Sequence, residues 1–188
     1  MQERTEKKMA IAANVIVAIL EIYSLAKVFR DRGWKTFGFY TQISNMITLV
    51  SCIAFLLAGK LAAPLRYLST CMMTMTFLTT LCVLVPMGGG FKTLMFSGNG
   101  LYHHTICPIL SFLSYVLWED HASPWYLPMI VTFVYGVTML ILNGKGIFDG
   151  PYPFFRVNHQ SKLATVLWMV ALMAVIFGVC MGVSAVAP

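Results

Sequence analysis

The chain has 188 residues, of which 59% are hydrophobic and 11% charged, with a mean hydropathy of +0.77. Soluble domains carry roughly 25% charged residues, so this composition excludes an ordinary soluble fold and points to an integral membrane protein. The net charge of +6 does not point to nucleic acid, because Lys27, Arg30, Arg32 and Lys35 gather at the end of an apolar run, where such side chains reach lipid phosphates.

Crossing a bilayer takes about 20 residues. Apolar runs of that order fall near 9–29, 38–59, 67–87, 100–118, 125–142 and 163–186. With short connections between them, they predict an all-α, polytopic six-transmembrane-helix bundle occupying 1–188 as a single domain. The first run follows the polar MQERTEKK and continues without a small-residue cleavage site, so it is expected to remain as a span. It carries Glu21, for which two readings stand: a partner that orients a histidine, or a carboxyl kept neutral inside the bundle.

The second run opens on FGFYTQISN, an unusual load of polar groups for the mouth of a span. Thr41, Ser44, Asn45, Thr48, Ser51 and Cys52 recur at intervals of three and four and so form one helical stripe. The third run holds Thr74, Thr76, Thr79 and Thr80, and the fourth repeats a stripe with Gly100, His103, Cys107, Ser111 and Ser114. The fifth adds Thr132, Tyr135, Gly136 and Asn143. Lipid-facing surfaces are apolar, so these stripes are expected to face each other or a cavity. Small and hydroxylated side chains also serve plain helix packing in membranes, the reading adopted for most of the serines and threonines. Gly178 and Gly182 in the last run have small-xxx-small spacing, read first as packing within the bundle and second as a homo-oligomer seam. All five cysteines lie in apolar runs without a CxxC pair, which points to packing rather than disulfides or thiolate metal sites.

Alternating spans place both termini and the loops after the second and fourth spans on one face. The opposite face carries eight lysines and arginines against five, which tips it toward the cytoplasm by the positive-inside rule without deciding the orientation. Thr41, His103 and the segment GPYPFFRVNH, residues 150–159, all fall near that opposite rim. Thr41 and His103 both lie about 5 Å inside their spans, from the helical rise per residue.

A threonine hydroxyl becomes a useful nucleophile only when a base takes its proton, and histidine suits that task near neutral pH. A Thr41–His103 pair would make a two-residue acyl-transfer centre if the second and fourth spans touch. Taken alone, His103 is as consistent with packing as with function. Oxyanion or substrate-binding donors would come from Asn45, Asn99, His104 or Tyr152, with Ser44, Trp34 and Lys35 also near the rim. No GxSxG elbow, HExxH pair or dinucleotide fingerprint occurs. His121 and His159 lie in loops, and His103 and His104 diverge by about 100° on a helix, so neither haem nor zinc fits well; no cofactor and no metal are expected.

The stretches WKTFGFYTQISN, NGLYHHTICP and GPYPFF resemble the androgen-induced and androgen-dependent TFPI-regulating membrane protein family, including its bacterial six-span relatives. The family's membrane threonine follows a Trp-Lys lead-in, matched by Trp34, Lys35 and Thr41. Its histidine has an asparagine four positions before and a proline five after, matched by Asn99, His103 and Pro108. A Tyr-Pro-Phe element before the last span is matched by Tyr152, Pro153 and Phe154. The resemblance implies an intramembrane threonine hydrolase cleaving fatty acid esters of hydroxy fatty acids, with Thr41 and His103 as the catalytic pair and a membrane lipid or fatty acid ester as partner. Animal members have a histidine where this chain has Gly100 and a charged tail where it has SAVAP, which suggests a compact member in a prokaryotic cell membrane. The rival readings are a non-catalytic protein that binds or moves a polar or lipid solute, and an assembly partner using the glycine seam.

Overall fold

The computed structural model describes residues 2–150 and 152–187. Met1, Pro151 and Pro188, which belong to the MQERTEKK, GPYPFF and SAVAP stretches, lie outside the described residues. The architecture is all-α: α1 (Gln2–Arg32), α2 (Tyr40–Ala58), α3 (Ala63–Thr79), α4 (Phe91–Phe96), α5 (Cys107–Trp118), α6 (Tyr126–Gly144) and α7 (Lys162–Val186). A π-helical stretch Thr80–Gly89 extends α3, and a second, Leu101–Ile106, leads into α5. Each apolar run of the sequence is helical over nearly all of its length, while the one-and-a-half-turn α4 is an element that hydropathy did not announce.

Local chemistry explains the joints. Gly59, at φ 56°, turns the chain in a region that side-chain-bearing residues avoid, and four residues in a 3-10 turn, Gly59–Ala62, close the α2–α3 hairpin. Pro64 and Pro108 stand in the first turns of α3 and α5, where a missing N–H costs little. Pro108 cannot donate to the carbonyl of His104, and the preceding turn widens to π geometry at that place. Ser161 caps α7, its hydroxyl accepting from the Ala164 N–H at 3.1 Å.

Side-chain hydrogen bonds show how the helices lie together. Ser51 meets Ser69 at 2.8 Å and Ser44 meets Thr76 at 3.0 Å, pairs that step in opposite directions and so make α2 and α3 antiparallel. Asn14 meets Ser114 at 3.2 Å and Ser24 meets His103 at 2.6 Å, which makes α1 antiparallel to the fifth segment. Tyr67 donates to the Cys180 carbonyl at 2.9 Å, tying α3 to α7, and Tyr135 donates to the Gly38 carbonyl at 2.9 Å, tying α6 to the start of α2.

The interior joins an apolar core, including Tyr67, Met72, Tyr115 and Ile176, to many buried polar side chains. Glu21, Ser24, Asn45, Thr48, Ser51, Arg66, Ser69, Ser111 and Ser114 are buried, while Leu57 is 84% exposed and Ile19, Ile22, Val50, Phe133 and Leu167 also face outward. Four helical stretches are long and apolar enough to cross a membrane: Gln2–Gly38, Tyr40–Gly89, Tyr126–Gly144 and Lys162–Val186. The second of these, at 50 residues, is the α2–α3 hairpin with its π extension. This is an all-α, polytopic membrane protein with polar side chains turned inward.

Two expectations change on the structure. Gly178 and Gly182 face outward, and a Cβ added to either meets nothing within 4 Å, so they pack against no other helix of the chain. Cys82 is exposed rather than packed. Glu21 is not alone as a buried carboxylate: Glu119 is buried with it and holds the equally buried Arg66 through two hydrogen bonds, at 2.7 and 2.9 Å. Asn14 and Ser114 add donors to Glu119 at 2.8 and 2.6 Å.

Candidate functional site

Two cavities meet at the start of α2. The larger, of about 620 Å³, is walled by the ends of α1 and α3, the first turn of α2, α4, the π turn before α5, and Tyr152 with Pro153. The smaller, of about 40 Å³, is an apolar slot between α2, α3, α6 and α7, lined by Met75, Phe154, Phe155, Met169 and Leu172 among others. Thr41, Tyr152 and Leu84 line both cavities. Thr41 therefore stands on the partition between a polar chamber and an apolar slot.

The first turn of α2 is fastened from several sides. Ser44 Oγ donates to the Thr41 carbonyl at 2.8 Å, and the Asn45 amide donates to the same carbonyl. The Tyr152 hydroxyl accepts from the Thr41 N–H at 3.3 Å and shares a hydrogen bond with Thr41 Oγ1 at 3.3 Å. Burial pushes the Tyr152 phenol above its usual pKa, and the two hydrogen bonds from Thr41 pull it partly back. Neighbouring Tyr40 is held at its hydroxyl by Thr132, 2.8 Å away.

His103 lies fully buried in the π turn, with both ring nitrogens engaged. Nε2 is 2.6 Å from Ser24 Oγ, and Nδ1 is 3.2 Å from Gln42 Nε2. The Gln42 amide nitrogen can only donate, so the lone pair lies on Nδ1 and the ring proton on Nε2. Ser24 accepts that proton and gives its own to the Leu20 carbonyl at 2.8 Å. Glu21 Oε2 lies 3.8 Å from Nε2, behind Ser24. Among the described residues neither carboxyl oxygen of Glu21 meets an oxygen or nitrogen donor, and its neighbour is the Cys107 thiol.

Thr41 and His103 thus share one chamber, but no hydrogen bond joins them. His104 and Asn99 also line the chamber. His104 Nδ1 donates to the Leu94 carbonyl at 2.9 Å, pinning α4 over the site, and Asn99 Oδ1 is buried without a partner among the described residues. Ser44 and Asn45 turn away from the chamber to brace the helix. Trp34, 86% exposed, stacks on Phe37, and neither it nor Lys35 lines the chamber. Arg32 does line it, with its guanidinium 4.5 Å over the Phe39 ring.

Sequence reading passed over Ser24 and Gln42, and it sent Arg32 to the lipid phosphates rather than to the chamber wall. Asn14, Glu21 and Ser24, spaced by seven and three residues, form a polar stripe on α1 that helical periodicity would have displayed. Gln42 falls off the polar stripe of α2 and carries no such signal. Among the described residues no three His, Cys, Asp or Glu side chains are grouped to hold a metal ion. No family model, curated protein or solved structure matches the chain.

Proposed function

We propose that this protein is a six-span intramembrane hydrolase of lipid esters, with Thr41 as nucleophile and His103 as general base. The observation that carries the reading is the position of Thr41 on the partition between the two cavities, with an imidazole on the wall of the larger one. An ester placed there has its acyl chain directed into the slot and its carbonyl beside the hydroxyl. The slot holds no more than a few waters at its present width, so an acyl chain parts its walls. Met169 and Met173 are the flexible side chains that yield.

In this reaction Thr41 Oγ attacks the ester carbon while its proton passes to the lone pair of His103. His103 returns the proton to the leaving alkoxide, and water repeats the sequence on the acyl-threonine. Ser24 fixes the ring by accepting from Nε2–H. Tyr152 orients the attacking oxygen. Arg32, on the chamber wall, is better placed than Lys35 to receive a carboxylate on the substrate, such as that of a fatty acid ester of a hydroxy fatty acid.

A second reading, a non-catalytic binder of lipid or solute, is favoured by the hydrogen bonds that already occupy both Thr41 and His103. Ester turnover by purified protein separates the two. Thr41→Ala and His103→Ala are expected each to abolish it while the protein stays folded, and a fluorophosphonate probe is expected to label Thr41. Turnover retained in either variant rejects the pair.

A further inference from the structure

His103 cannot take a proton from Thr41 in the arrangement described above, because its lone-pair nitrogen already accepts from the Gln42 amide at 3.2 Å. Gln42 is buried, lies next to Thr41 in sequence and lines the same chamber. Among the described residues that bond is the amide's single side-chain anchor: its other end, Oε1, is buried with no partner. A buried amide carbonyl left bare is an unfavourable resting place, so the side chain is held by one bond of moderate length and loses little on leaving it. The ester carbonyl brought to Thr41 is itself an acceptor with a claim on the same N–H.

We propose that Gln42 is a latch on His103 and, once released, a donor to the oxyanion. At rest its amide N–H occupies Nδ1 and keeps Thr41 unreactive. With ester bound, the N–H transfers to the ester carbonyl oxygen and Nδ1 is freed to receive the Thr41 proton. The new bond is Thr41 Oγ to the carbonyl carbon. The carbonyl π pair moves onto oxygen, where Gln42 holds it, and collapse expels the alkoxide, which takes the proton back from Nδ1. The exchange makes activation of the base conditional on a carbonyl being present, a guard suited to a chamber of 620 Å³ that water can fill.

The inference rests on the hydrolase reading, and turnover of a p-nitrophenyl acyl ester by the full chain tests both. Gln42→Leu removes the donor. Gln42→Glu keeps the shape and replaces the donor with an acceptor that also pins a proton on Nδ1. Both are expected to lower kcat by about 100-fold, the effect of losing one oxyanion donor, with KM changed by no more than about threefold. Imidazole nitrogen NMR of His103 in the wild-type protein supplies a measurement independent of any variant's folding: saturation with an unreactive long-chain methyl ketone is expected to shift the Nδ1 resonance as its hydrogen bond is lost. A ketone that binds and leaves that resonance unmoved overturns the latch. So does wild-type turnover that needs Thr41 but survives Gln42→Glu at full kcat, and in that case the hydrolase reading stands. Absence of Thr41-dependent turnover in the wild-type protein overturns both.

Discussion

Thr41 reaches the partition between the cavities because Ser44, Asn45 and Tyr152 hold the first turn of α2 against fraying. Tyr152 is the one of these that comes from a distant loop, so its phenol couples the 152–159 segment to the candidate nucleophile. Tyr152→Phe leaves the ring stacked on Phe154 at 5.2 Å and removes both hydrogen bonds to Thr41. The expected loss of stability is about 1–2 kcal/mol, as for one or two buried hydrogen bonds, read from thermal unfolding in detergent. Its pH dependence has a definite sign. Burial holds the folded-state pKa above the unfolded value, so the folded state keeps its proton longer. Stability is whole below the unfolded pKa of about 10 and falls as pH rises through the folded one. Tyr152→Phe is expected to flatten that alkaline fall, and an unchanged slope would mean another group titrates. At this scale the sequence displayed Thr41, His103 and Tyr152 through their shared rim. It hid Gln42, whose importance comes only from the direction of a rotamer.

Among elements, the joint that decides whether the bundle closes is at the end away from the chamber. Arg66 at the start of α3 and Glu119 at the end of α5 form a bidentate pair, supplemented by Asn14 of α1 and by Ser51 of α2, which lies 3.1 Å from the guanidinium. Four helices thus converge on one buried charge pair. Removing one partner leaves the other charged and unsolvated, and Arg66→Met is expected to cost about 3–5 kcal/mol. Arg66→Met combined with Glu119→Leu removes both charges and is expected to recover most of that loss. Thermal unfolding of the single and double variants checks this, and a double variant no more stable than the single would assign the cost to packing. The serines read from sequence as generic packing residues prove more specific here, because Ser51, Ser69, Ser111 and Ser114 all turn towards this pair. Hydropathy could not have shown it. Arg66 and Glu119 are 53 residues apart, flank loops, and look like ordinary rim charges until the antiparallel order of α3 and α5 brings them together.

For the whole molecule, the buried pair alters the charge argument that sets orientation. Sequence counting gave eight lysines and arginines on the chamber face against five on the other, with Arg66 among the five. Arg66 is buried and neutralised by Glu119, so it presents no positive charge to either aqueous side. The working comparison becomes eight against four, and the rule favours the chamber face as cytoplasmic. Lys145, in the exposed turn after α6, lies on the chamber face, and Lys60, in the α2–α3 turn, lies on the opposite one. Single variants Lys145→Cys and Lys60→Cys, treated in intact cells with a membrane-impermeant maleimide, are expected to differ: Lys60→Cys is labelled, while Lys145→Cys is labelled only after the membrane is opened. Four of the native cysteines are buried, and a parallel reaction on the unsubstituted chain subtracts Cys82. Labelling of Lys145→Cys from outside reverses the orientation, and equal labelling of both rejects alternating crossings. Under the proposed hydrolase reading, a cytoplasmic chamber draws its ester from the inner leaflet and releases the carboxylate inside, and the opposite orientation releases it outside.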